Sequence, residues 1–195
     1  LLFLSDMALA SSGYDRLWKQ AQRAQESDLP KEVVDISSQI MDLARTKGDH
    51  GQFLKALLLR NTYRERLEPE ALEKDRKELD AIMAEDGWDE LDKAVLSSLA
   101  AESYGGYLQN QYYIIRQRTP LEDESDLPLE QMSASALKAR VISLLKSSLH
   151  PSTLLLDTSD KEFMPLVEQD KMSGYFNHDF YHLLARRALS LLDGL

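Results

Sequence analysis

Apolar positions along this chain recur every three to four residues, the spacing that puts side chains on one face of an α-helix. Tyr14, Leu17, Trp18, Ala21 and Ala24 make a first stripe, and Val33, Ile36, Ile40, Leu43 and Ala44 a second. Pro30 stands where a first-turn proline is tolerated, and Gly48 where a glycine commonly ends a helix. Asp49 with Gln52 predicts a capping box for a third helix, whose buried face is Phe53, Ala56, Leu57 and Tyr63. Pro69 restarts the chain, Leu72, Leu79, Ile82 and Met83 form the fourth stripe, and Gly87 stops it.

The longest predicted segment starts at Trp88, Leu91, Val95 and Leu99 and runs through Leu108 and Tyr112 to Ile115. Gly105 and Gly106 weaken its middle, each by about 1 kcal/mol relative to alanine, which predicts a kink or a close helix contact. Residues 119–129 differ: acidic side chains crowd Pro120 and Pro128, as in an exposed linker loop. Met132 to Leu149 is helical again, with Leu137, Val141, Leu144 and Leu145 inward, and His150-Pro151 ends it. Ser159 with Glu162 predicts a cap for a short helix around Phe163, disturbed by Pro165. Asn177 opens a last helix with Phe180, Leu183, Leu184, Ala188 and Leu191 on one side and Gly194 as its stop.

The expected fold is therefore all-α, an array of about eight antiparallel helices stacked as helical hairpins. The first breaks give a period near the ~34 residues of tetratricopeptide units, although the signature residues of that repeat are largely missing. Composition supports helices over strands: 35 leucines against 11 valines and isoleucines together.

Charge narrows the function. With 23 basic and 33 acidic residues the chain carries −10, which disfavours nucleic acid and anionic membranes as partners. No segment approaches the ~20 apolar residues of a transmembrane helix. There is no cysteine, hence no disulfide, thiol catalysis or thiolate metal site. Residues 1–10 open with Leu1-Leu2-Phe3-Leu4 and close with Ala8-Leu9-Ala10, the small-x-small pattern of a signal-peptidase site. They read as a signal-peptide remnant or an N-terminal apolar arm, leaving residues 11–195 as the helical domain with the 119–129 loop inside it.

Candidate chemistry is sparse. His178 and His182 are four apart with Asp179 between them, a spacing that on a helix aligns two imidazoles as in zinc sites. The glutamate of a metalloprotease motif and a third ligand are missing, so surface or interface histidines are the preferred reading. The acids Glu122, Asp123, Glu124 and Asp126 lack the central glycine of a calcium loop and read as solvated. Tyr104, Tyr107, Tyr112 and Tyr113 could form a ligand platform, with helix packing as the simpler role. Arg116 and Arg118 close that helix with dipole-compatible charge, and Arg186 or Arg187 is placed to meet a carboxylate. No catalytic, cofactor-binding or metal-binding residue is assigned, and the chain is read as not an enzyme.

Several segments in order carry a resemblance. Leu29-Pro30-Lys31 opens a helix ending in Ile40-Met41-Asp42-Leu43-Ala44, and Phe53-Leu54-Lys55-Ala56-Leu57-Leu58 follows. Then come Ala94-Val95-Leu96-Ser97-Ser98-Leu99-Ala100-Ala101-Glu102, Tyr107-Leu108, Arg118-Thr119, and the run from Asp179 to Leu189. Their order, over roughly Tyr14 to Leu192, resembles the helical N-terminal region of alpha-2-macroglobulin family proteins of Bacteroides-type bacteria. The resemblance implies a long protein exported to the periplasm or cell envelope, in which macroglobulin-like β-sandwich domains follow the helices. It also implies a protease-trapping context, in some members through a Cys-Gly-Glu-Gln thioester; without cysteine, no thioester residue carries over. The expected role is a non-catalytic module that packs on its own downstream domains or binds another envelope protein. The alternative is a free-standing tetratricopeptide-like adaptor, with Asn61 and Arg64 as groove residues for a peptide.

Overall fold

The computed structural model describes residues 3–68, 70–124, 127–160 and 177–195, with side chains from Gly13 onward and Leu72 by its backbone only. Among these residues there are nine α-helices, one 3-10 turn and no strand beyond an isolated bridge. The fold is all-α, and neighbouring helices pack on one another as hairpins. No helix among the described residues is long and apolar enough to cross a membrane. The expected restart at Pro69 and the short helix around Phe163 fall outside the described residues.

The described residues divide into two compact units, the chain passing from one to the other between Asp75 and Arg76. The first unit holds α1 (Phe3–Glu26), α2 (Pro30–Lys47) and α3 (His50–Arg64), together with the start of α4 (Ala71–Ala84). Its core is Tyr14, Leu17, Ala21 and Ala24 from α1, Val33, Ile36 and Ile40 from α2, and Phe53, Leu54 and Leu57 from α3. These are largely the stripe residues of the sequence, each brought to one side by the helical period.

The turns follow local chemistry. Asp28 takes a left-handed φ of 53° between α1 and α2, and Pro30 enters α2 in its first turn. Gly48 ends α2 with φ 65°, its N–H bonding back to Arg45. The Asp49 carboxylate accepts from the Gln52 N–H at 3.2 Å, so half of the expected capping box is present. Gln52 does not close it; its Oε1 accepts instead from Trp18 Nε1 at 2.6 Å, tying α3 to α1.

The second unit is built around α5 (Glu90–Asn110), which is buried on several sides along Ala94 to Leu108. A capping box formed by Asp89 and Asp92 starts it. Against it pack α7 (Ala134–Ser147) and α9 (Phe180–Asp193), and α9 also packs on α8 (Ser152–Asp157). One-turn α6 (Tyr112–Ile115) and the 3-10 turn Leu129–Gln131 lie between α5 and α7.

The expected long segment therefore divides at Gln111, while α5 runs unbroken through Gly105 and Gly106. A Cβ at Gly105 would make only ordinary contacts with Leu191 and Leu195, and one at Gly106 would meet nothing within 4 Å. Neither glycine is demanded by sterics. Gly106→Ala is thus expected to stabilise the protein by up to ~1 kcal/mol through helix propensity. Gly48→Ala has equally free space but a left-handed backbone, and is expected to cost about 1 kcal/mol. Urea denaturation of the two variants should give shifts of opposite sign; shifts of the same sign would contradict this account.

Candidate functional site

Most polar groups with chemical potential are used to fasten the fold. His178 precedes α9 and His182 lies in its first turn, so the helical alignment that two zinc-binding imidazoles need does not arise. His178 Nδ1 lies 3.1 Å from Asp160 Oδ2, and His182 Nδ1 lies 2.8 Å from Asp179 Oδ2. Asp179, rather than Asn177, caps α9, accepting from the His182 N–H at 2.9 Å. Among the described residues no group of three or more His, Cys, Asp or Glu side chains is arranged to hold a metal ion.

The acidic loop is not uniformly solvated. Glu122 and Asp123 are exposed, but Glu124 is turned inward and buried. Its two carboxylate oxygens accept from the Leu121 N–H at 2.8 Å and the Ser133 N–H at 2.5 Å, closing the loop onto the start of α7. These backbone donors hold its carboxyl below the ordinary value of 4.5. A lowered folded value means stabilisation that is complete above the unfolded pKa and lost as pH falls through the folded one. Protection of the Leu121 and Ser133 amides, measured as exchange relative to an unprotected amide at the same pH, is therefore expected to fall below about pH 4.5 in the native chain. Glu124→Gln should remove that acid dependence; an unchanged pH profile in the variant would assign the effect elsewhere.

The four tyrosines separate into two pairs. Tyr104 is buried and donates its hydroxyl proton to Asp80 Oδ2 at 2.7 Å. Burial, and secondarily that hydrogen bond, push its phenol up to about 12. Tyr107 is half-buried, with the Arg76 guanidinium 4.6 Å over its ring and Arg118 Nη2 donating to its hydroxyl at 3.3 Å. Both are packing residues. Arg187 also meets its expected carboxylate, Glu102, at 2.5 Å. In the first unit, Asn61 and Arg64 are engaged internally, Asn61 by Arg60 at 3.0 Å and Arg64 by Asp75.

Tyr112 and Tyr113 behave differently because a single helical turn has room for one inward residue. In α6 that residue is Ile115, fully buried, which leaves Tyr112 45%, Tyr113 73% and Ile114 61% exposed. The two tyrosine rings meet edge to face at 6.3 Å. Arg116 follows at the C-cap, its guanidinium 5.0 Å over the Tyr113 ring. A groove of about 370 Å³ runs beside them, lined by Leu108, Gln109, Tyr112, Tyr113, Gly194 and Leu195. Gln109 Nε2 donates to the Gly194 carbonyl at 2.9 Å and Lys138 to that of Leu195, so both walls are held by named bonds.

This surface can bind but offers no arrangement of acid, base and nucleophile. It is an arrangement that the sequence shows only in part: the tyrosines stand out as a possible platform and Arg116 as a helix-end charge, while Ile114 and the stacking of Arg116 on Tyr113 do not. The signal was available in Tyr-Tyr-Ile-Ile, four consecutive large apolar residues that no helical face can bury together. Comparison of the chain with protein-family profiles, curated proteins and solved structures gives no match.

Proposed function

We propose that this chain is a non-catalytic helical module that binds a protein partner through the turn Tyr112–Ile115 and the groove beside it. The observation that carries the reading is the exposure of Tyr112, Tyr113 and Ile114 together on one turn. Aromatic side chains and arginine dominate binding energy at protein interfaces, and contiguous exposed apolar surface marks such sites. The module would stand at the front of an exported alpha-2-macroglobulin-like protein, in a protease-trapping envelope context; the support for this is the order of the sequence segments between Leu29 and Leu189 alone. Its partner is then a downstream macroglobulin-like domain of the same protein or another envelope protein.

The two halves of this reading are tested separately. With a photo-crosslinking amino acid at position 113, a discrete protein adduct is expected in exporting cells, and none with the same group at exposed Gln22. Equal labelling from both positions, or none from position 113, would sink the interaction surface. For the context, β-sandwich domains are expected in frame after the Leu195 codon, and Ser11 is expected as the first residue of the exported protein. A stop codon directly after Leu195 would remove the family context and leave a free-standing adaptor.

A further inference from the structure

The same surface carries a charge that selects its partner. Arg116 is exposed on a chain with ten excess negative charges, yet it pairs with no carboxylate among the described residues. Its guanidinium lies instead over the ring of Tyr113, a residue that lines the groove. Four other arginines of this chain do find carboxylates: Arg64 with Asp75, Arg66 with Asp28, Arg76 with Glu130 and Arg187 with Glu102. Stacking restricts the Arg116 head without consuming its five donors, which remain free for planar, bidentate capture of a carboxylate. The groove next to it offers Leu108, Tyr112, Tyr113 and Leu195 as apolar wall.

Resting on the interaction surface argued above, we propose that the groove takes a peptide segment in which an apolar side chain stands next to an acidic one. The apolar side chain enters between Tyr112 and Leu195, and the carboxylate meets Arg116. Charge complementarity is local. The net charge of −10 on the chain as a whole acts against segments of high acidic density, so one well-placed carboxylate is favoured over a run. A basic segment would be attracted to the chain as a whole but repelled by Arg116.

The test uses the full chain, with backbone amide resonances as reporters at pH 7. Two probes are titrated: a capped hexapeptide with one leucine-aspartate pair among otherwise neutral residues, and its counterpart with that aspartate replaced by asparagine. The acidic peptide is expected to shift resonances from Leu108 to Arg116, and to bind at least fivefold more tightly than the neutral one at low salt. Arg116→Gln should bring the acidic peptide to the affinity of the neutral one. Tyr113→Ala should weaken both peptides. Both residues are exposed, so the variants keep the fold, which their unshifted core resonances would verify.

Equal affinities of the two peptides at this turn would overturn the acidic partner while leaving the interaction surface standing. Silence of the turn toward both peptides at millimolar concentration would overturn the surface itself. Resonance changes at residues 112–116 on simple dilution of the free chain would assign the groove to a second copy and overturn a peptide occupant.

Discussion

Phe53→Ala is expected to cost about 3–5 kcal/mol, the range found when a fully buried phenylalanine is truncated and the site collapses only in part. Phe53 is 1% exposed and is the largest fully buried side chain of the first unit. It sits on α3, where α2 packs most closely, and the Arg45 guanidinium covers its ring at 5.0 Å. Removing the ring loses its transfer free energy and leaves a void bordered by close-packed neighbours that cannot all move inward. Domains of this kind have only about 5–15 kcal/mol in total, so this single change approaches the limit of what the unit can lose.

Two companions calibrate the result. Phe53→Leu keeps most of the volume and should lose under ~1.5 kcal/mol. Leu67→Ala removes a side chain that is 44% exposed and should stay within about 0.5 kcal/mol of the native chain. Trp18 lies in the first unit and Trp88 in the second, so fluorescence of single-tryptophan variants follows each in urea. A loss below about 1 kcal/mol for Phe53→Ala in the Trp18 transition would show that this site relaxes freely, contrary to the packing described.

What could be read from the chain depended on how far apart the interacting residues are. Pro30, Gly48 and Asp49 act on their own helix ends, and their roles followed from identity and position. Core stripes such as Val33, Ile36 and Ile40 followed from periodicity, because burial of a helix face is a local pattern even when the neighbour is distant. Glu124 was not legible. Composition made residues 119–129 a solvated loop, and nothing local says which acid turns inward to meet an N–H nine residues on. The Asp89–Asp92 capping box was missed because the box normally carries Glu or Gln at its third helical position. Gly105 and Gly106 misled in the other direction: their propensity cost is real, but burial of Ala100, Ala101, Tyr104 and Leu108 around them outweighs it.

The candidate site shows the same division. Tyr112 and Tyr113 drew attention as residue types, but their exposure depends on Gln111 ending α5 one residue earlier. Had the helix continued, its 100° step would have distributed these side chains differently between core and solvent. The His178–His182 spacing suggested a helix face and proved not to be one, because Asp179 captures the cap position between them. Spacing is informative only inside an established element, and element ends are where sequence patterns are least determinate.

Arg118→Met is expected to destabilise the second unit by about 2–3 kcal/mol. The guanidinium donates from Nη1 to the Leu129 and Met132 carbonyls, at 3.3 and 2.8 Å, and from Nη2 to the Tyr107 hydroxyl at 3.3 Å. One half-buried side chain thus joins the turn after α6 to α5 and to the segment leading into α7. Methionine approximates the volume of the stem, so the loss isolates the hydrogen bonds and leaves the carbonyls to find water or remain unpaired. Arg118→Lys keeps the charge but not the fork, and one ammonium cannot hold three acceptors in two directions; it should recover about half of the loss. The Trp88 transition in urea measures the energy, and amide exchange over residues 127–133 should accelerate in the same order, native slowest and Met fastest. Because Arg118 fastens the turn that follows Arg116, both variants should also weaken peptide capture at the groove in proportion to that acceleration. A lysine variant as stable as the native chain would show that charge alone, and not the geometry of the fork, holds these segments together.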